Sequence, residues 1–190
     1  CVFNRKVIKF SFAGVNSNSY TFPNYHYSSK KIKCEDFKFY RKVLEDNYVI
    51  LDSNDRQQKI NQNLEKFCKQ KKIELNKNEK LIRRVSDSIE WPNLFFGSFE
   101  KSDYSLPEFL LTTIISEKQD NFSFKNQDGQ LSNYFGFASN VELKNFKNLV
   151  RGNQAVLKAR FKDAEFFIEE DKKKSFSQRL EMLSSIIFYD

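Results

Sequence analysis

The stretch Phe122-Ser-Phe-Lys-Asn-Gln-Asp-Gly-Gln-Leu-Ser-Asn-Tyr-Phe-Gly-Phe-Ala138 reads as a β-hairpin. Phe122 and Phe124 are spaced at the strand period of two. Asp128 and Gly129 both tolerate positive φ and so make a good hairpin turn. Tyr134 to Ala138 supplies the returning strand. Antiparallel pairing is therefore expected here, and its surroundings set the fold class. Just upstream, Pro107 marks the first turn of a helix, because its fixed φ suits that position. Leu94 to Phe99 reads as another strand. It follows Pro92, which ends a helix carrying Leu81, Val85 and Ile89 inward under an Asn76 cap.

Further outward, Ser53 and Asp55 can cap a helix to about Lys72 with Ile60, Leu64, Phe67 and Cys68 inward. Tyr48 to Leu51 reads as a short apolar strand. Cys34 to Asp46 fits a short helix with Phe37, Tyr40, Val43 and Leu44 on one face. Asn16 to Ser29 is a loop or edge strand, and Val2 to Phe12 alternates as one or two strands. Beyond the hairpin, Asn153 to about Glu170 is a long helix, and Ser177 caps a last one through Ile187. This order predicts an α+β fold: a mixed or antiparallel sheet with several helices and a helical C-terminal part. Residues 1–140 are expected to form the α+β domain and residues 141–190 a helical segment leading into a further domain. The boundary is placed between Val141 and Asn148, and no internal repeat is present.

Composition bounds the function classes. A chain of 190 residues is long enough to bury a core, and with 21 Phe that core is expected to be aromatic. Five Gly leave no phosphate-cradling loop, and the GxxxxGK[ST] pattern is absent. The net charge of +7 is compatible with a nucleic-acid partner. Abundant Lys, Asn, Ile and Phe also follow from an AT-rich genome, which is the commoner explanation. No apolar run approaches a membrane span and no signal peptide is present, so no membrane is expected. Cys1, Cys34 and Cys68 lack CxxC spacing and fit free thiols in a reducing cytoplasm. A chain that starts at Cys1 and stops at Asp190 after an apolar run reads as excised from something longer.

Catalytic patterns are weak. His26 stands alone in a Ser/Tyr/Asn-rich stretch, so a structural or surface role outweighs that of a base. No HxxxH, HExxH or Cys/His cluster points to metal. The run Glu169-Glu170-Asp171 precedes Lys172-Lys173-Lys174 and reads as a solvated helix end. No catalytic residue and no cofactor site is assigned within this chain.

The long helix is more informative. Val156, Arg160, Asp163 and Phe167 recur at spacings of four, three and four and share one face. On residue physics this is a core helix whose Arg160 and Asp163 pair internally, since an unpaired buried charge is costly. Phe166 beside Phe167 widens the apolar face. Alternatively, Arg160 projects to an anionic ligand or another subunit. Arg151, Lys158, Arg160 and Lys162 are the candidate RNA-binding residues, with Lys158 and Lys162 lining one side. A solvated Lys-bearing face is the competing explanation.

These residues resemble a family. Gly152-Asn153, Val156, Arg160, Asp163-Ala164 and Phe166-Phe167 look like the G-N-x-x-V-x-x-x-R-x-x-D-A-x-F-F signature of the glycyl-tRNA synthetase β subunit, continued by Asp171-Lys172-Lys173. Glu90-Trp91-Pro92, with Phe99 eight residues after the Trp, resembles its E-W-P segment. Leu106-Pro107-Glu108 resembles the start of a family helix. Asp128-Gly129 with Leu131, Asn133 and Tyr134 is similar to its D-G-K-L-x-N-F hairpin, and Arg179-Leu180 and Phe188 to its ending. The motifs keep the family order, most densely from about Lys80 to Asp190. Lys118-Gln119-Asp120-Asn121-Phe122 departs from the family's H-Q-R-Y-F, and the family's G-H-R-F finds no counterpart near Tyr20 to Tyr27.

The resemblance implies part of a cytoplasmic α2β2 aminoacyl-tRNA synthetase that joins glycine to its tRNA using ATP. ATP and the class II active site would belong to the α subunit. An HD-like domain and an anticodon-binding domain would lie outside this chain. The partners implied are the α subunit and glycine tRNA. The segment itself is expected to be inactive alone and to serve as scaffold or tRNA contact. Trp91, Asp163, Phe166 and Phe167 are expected to be structural. Two alternatives stand beside this: an editing-type domain resembling that of phenylalanyl-tRNA synthetase β chains, and a scaffold that binds only the α subunit.

Overall fold

Phe occurs at both parities of the central strands, so both faces of the sheet must be covered. The structure, a computed structural model, describes residues 2–3, 6–101, 104–141 and 146–183. Its central sheet has four strands in the order β7 (Glu74–Leu75), β9 (Phe122–Lys125), β10 (Leu131–Ser139), β8 (Asn93–Ser98), every pair antiparallel. On one face, Phe122 and Phe124 meet Ile60, Leu64 and Phe67 of α2 (Ser53–Lys71) and Leu81, Ile82 and Val85 of α3 (Glu79–Ser88). On the other, Phe135 and Phe137 meet Leu111 of α4 (Glu108–Thr113), Ile114 and Ile115 of a π-helical turn (Ile114–Lys118), and Leu157 and Phe161 of α5 (Lys147–Lys172). The result is an α+β fold in three layers, helix–sheet–helix. Each buried Phe or Leu contributes about 1.5–3 kcal/mol, so these two apolar seams supply most of the driving force.

The hairpin forms where the sequence places it, with a different division of labour at the turn. Gly129 takes φ +81° while Asp128 does not take positive φ. Asp128 instead accepts a 3.0 Å hydrogen bond from Gln130 N through its carboxylate. Asn126 N donates to Gln130 O and Gly129 N to Asn126 O, a turn closed by one left-handed glycine. The register then shifts between Leu131 and Phe135, an irregularity next to the turn, beyond which Phe135 stands opposite Ser123 and Gly136 opposite Phe122.

The caps sit one or two residues from the expected positions. Asp52 accepts from Asn54 N and caps α2, leaving the Ser53 hydroxyl to reach Asp87 at 2.7 Å. Asn78, not Asn76, caps α3 by accepting from Leu81 N. Asn76 instead extends the sheet through Ser123. The expected strand at Tyr48 to Leu51 does not form. Tyr48 takes φ 62° after α1 (Phe37–Asp46), and Val49 N bonds back to Leu44 O, so the segment is spent closing the helix. Helix α5 starts six residues earlier than expected, and α6 spans Phe176–Leu183 with Ser175, not Ser177, accepting from Gln178 N.

The N-terminal part is made of two-residue strands: β1 (Val2–Phe3) with β2 (Lys6–Val7), β3 (Ser11–Phe12) with β4 (Val15–Asn16), and β5 (Tyr20–Thr21) with β6 (Ile32–Lys33). Asn24, fully buried, fastens this part: its backbone N reaches Asn47 O and its amide nitrogen reaches Tyr48 O, each at 3.1 Å. Cys1, residues 142–145 of the span from Val141 to Asn148 where the domain boundary was placed, Ile187 and Phe188 lie outside the described residues.

Candidate functional site

Helix α5 carries the motif and the candidate basic residues, so its orientation decides what they can do. Leu157 and Phe161 are buried against the sheet, with Ala164 and Ile168 packed at the margin. Phe161 lies between the rings of Phe99 at 5.3 Å and Tyr104 at 4.8 Å. Gln154 Nε2 donates to Ser98 O at 2.8 Å and fixes the helix to the end of β8.

The stripe expected to face the core faces solvent instead. Val156 is exposed, and Phe166 and Phe167 are 59% and 64% exposed, packed edge to face on each other at 5.6 Å. Arg160 and Asp163 approach to 4.0 Å, but both side chains are more than half exposed. The reason is angular. At about 100° per residue, Leu157 and Phe161 point well away from Val156, Asp163 and Phe166, and only one arc can meet the sheet. An ion pair so exposed adds little stability.

The same geometry divides the four basic candidates. Arg151, Lys158 and Lys162 fall on one flank, while Arg160 lies on the opposite flank, about 160–180° around the helix. Lys162 is engaged: it holds Glu165 at 2.9 Å and sits 5.3 Å from the Tyr104 ring. Arg151 and Lys158 are exposed and form no ion pair among the described residues.

Two carboxylates act as fasteners that local sequence gave no sign of. Glu165 Oε1 accepts from Ser105 N at 2.6 Å and from the Ser105 hydroxyl at 3.2 Å. The Lys162 hydrogen bond and then that backbone N–H hold its pKa below the usual glutamate value. Glu108 Oε2 accepts from Leu131 N at 3.0 Å, and Oε1 pairs with Lys101 Nζ at 2.9 Å. The Leu131 N–H, followed by Lys101, lowers its pKa too. Each carboxylate ties segments 23 to 60 residues apart, a distance no helix or strand period reveals.

Trp91 ties distant segments together: its backbone N–H donates to Asn140 Oδ1 at 2.9 Å, Tyr48 meets its ring edge-on at 5.6 Å, and Lys59 Nζ sits 3.6 Å from the ring centroid. His26 is exposed and lies against Tyr25 at 3.9 Å. Glu169, Glu170 and Asp171 pair with Lys172, Lys173 and Arg179. Among the described residues no grouping of three or more His, Cys, Asp or Glu is placed to hold a metal, and no helix is long and apolar enough to cross a membrane. In the departing segment, Asp120 takes φ 51° and receives Arg84 Nε at 2.6 Å, bracing the π turn against α3.

The whole chain, residues 1–190, matches the family model described as glycyl-tRNA synthetase beta subunit. It is 35% identical over 194 residues to the glycine–tRNA ligase beta subunit of Halothermothrix orenii, which covers all of this chain and 27% of that protein. It is 32% identical to the protein of the same name in Dictyoglomus turgidum (all of this chain, 27% of that one) and 31% identical to that of Bacillus subtilis (all of this chain, 28% of that one). The chain thus spans little more than a quarter of the length of these curated relatives.

Proposed function

Because the chain belongs to the glycyl-tRNA synthetase beta subunit family, we propose that it is a scaffold region of a subunit that, with an α subunit, attaches glycine to its tRNA using ATP in the cytoplasm. Catalysis and ATP belong to the α subunit in this reading. The present region supplies a rigid three-layer body and contacts to glycine tRNA. The observation that carries the scaffold reading is how the ionisable side chains are used. Glu108, Glu165, Arg56 and Arg84 are spent on backbone groups and ion pairs between elements. Every fully buried side-chain nitrogen or oxygen among the described residues is hydrogen-bonded. A site that is satisfied internally holds its shape and offers little to a reacting group.

The tRNA contact is assigned to the flank of α5 bearing Arg151 and Lys158, with Lys162 beside them and Arg160 serving apart. The test is tRNA binding by the full-length subunit across a salt series. Arg151→Glu and Lys158→Glu are each expected to shallow the salt slope by about one. An unchanged slope removes the contact. Glycylation lost without loss of tRNA binding points instead to a surface that binds only the α subunit. Release of an amino acid from misacylated tRNA by the subunit points to the editing-type alternative.

A further inference from the structure

The positive charge of this chain is concentrated at one end. Residues 1–34 hold Arg5, Lys6, Lys9, Lys30, Lys31 and Lys33 and not one of the 25 acidic residues. The remainder carries 26 basic against 25 acidic residues and is close to neutral. A genome rich in A and T raises Lys everywhere; it does not strip carboxylates from a single stretch.

The same stretch displays its aromatic rings rather than burying them. Phe12 is 78% and Tyr25 75% exposed, and Phe10, Tyr20 and Phe22 are about half exposed. Rings and ammonium groups face each other at and beside the β5–β6 ladder. Tyr20 stands opposite Lys33, and Lys31 Nζ lies 5.8 Å from the centre of the Phe22 ring. Lys6, Lys9, Lys30, Lys31 and Lys33 are exposed, and none forms an ion pair among the described residues. Hydrogen bonds from backbone and side chains hold the surface in place: buried Asn24 anchors it to residues 47 and 48, Cys34 N reaches Ser19 O at 2.7 Å, and the Ser17 hydroxyl joins Phe10 N to Ile8 O.

We propose that this N-terminal face binds unpaired nucleotides of an RNA, with bases stacked on Tyr20, Phe22 and Tyr25 and phosphates met by Lys30, Lys31 and Lys33. Every base offers a π face to such rings, and every phosphate offers a charge to such lysines. A protein partner is the poorer fit. Protein interfaces are depleted in Lys at their cores, and nothing in this stretch offsets six cations. The inference rests on the tRNA-contact reading above and deepens it by adding a second surface and a preference for unpaired strands.

The experiment uses the full-length subunit with three fluorescent probes: a single-stranded RNA, the same RNA annealed to its complement, and a glycine tRNA transcript, each titrated across a KCl series. Reversing Lys30, Lys31 and Lys33 to Glu is expected to weaken single-strand binding and shallow its salt slope by about two. Phe22→Ala with Tyr25→Ala is expected to weaken the single strand by about thirtyfold or more, with duplex binding and the salt slope unchanged. Phe22→Leu with Tyr25→Leu keeps the apolar bulk and is expected to lose the same preference, with an unchanged thermal melt. If the wild type binds tRNA but the ring and lysine variants bind the single strand as tightly as it does, this inference fails and the tRNA reading stands. If the wild type binds none of the three probes, both fail. Variants that keep RNA binding but lose a co-purifying protein chain assign the face to a protein and overturn the inference.

Discussion

Phe161 and Phe166 sit five residues apart on one helix and have opposite fates. Phe161 is fully buried between Phe99 and Tyr104, whereas Phe166 is 59% exposed with its ring against Phe167. Phe161→Ala is expected to cost about 3–5 kcal/mol, because a cavity opens where the sheet cannot collapse. Phe166→Ala is expected to stay within about 0.5 kcal/mol. Urea midpoints of the two variants check this, and equal shifts would contradict the orientation of α5. Glu165 offers a pH-dependent test. Its folded pKa lies below the unfolded value, so its contribution is fully present at neutral pH and is lost as pH falls through the folded pKa. Glu165→Gln is therefore expected to lower the melting temperature at neutral pH. The difference from wild type should close in acid, below the usual glutamate range. A gap that persists there would show that Glu165 acts through packing instead of charge.

At the scale of elements, the β8–β10 ladder depends on missing side chains. Gly97 faces Phe135 and Gly136 faces Phe96 across the register, so each ring lies over a glycine. A Cβ on Gly97 would stand 2.6 Å from Phe135 Cζ and 3.2 Å from Val150 Cγ1. Gly97→Ala is expected to cost about 1–3 kcal/mol, since a fully buried ring has nowhere to retreat. Gly152, although part of the motif, has open space around it, so Gly152→Ala is expected to leave the fold intact and to favour the helix by about 1 kcal/mol. Thermal melts of both variants check the contrast. A destabilised Gly152→Ala would mean that another surface of the full-length subunit closes on the outer face of α5. The periods of α2, α3 and the hairpin were legible because each buries one face that its own sequence marks. The inward face of α5 was not, because Val156, Phe166 and Phe167 form an apolar stripe that competes with Leu157, Phe161 and Ile168.

Across the whole molecule, stability is unevenly placed. The two apolar seams lie on either side of β9 and β10, while α6 buries no residue and the strands before residue 34 are two residues long. Amide exchange is expected to be slowest at Phe122, Phe124, Phe135 and Phe137 and fastest in α6 and the β3–β4 hairpin. Comparable protection of α6 in the full-length subunit would locate a covering segment there.

The sequence by itself determined the α+β class, the hairpin at Asp128-Gly129, the presence of the main helices though not where α5 begins, and, through spaced motifs, the family. These follow from local rules: side-chain period, positive φ at glycine and cap chemistry act over a few residues. Tertiary structure alone decided which of two apolar stripes on α5 meets the sheet, which basic residues share a flank, and which carboxylates fasten distant segments. The physical reason is that burial is a competition for one packing surface. Glu165 finds Ser105 sixty residues away, and Arg160 parts from Lys158, only once the sheet has chosen the face of α5 it buries.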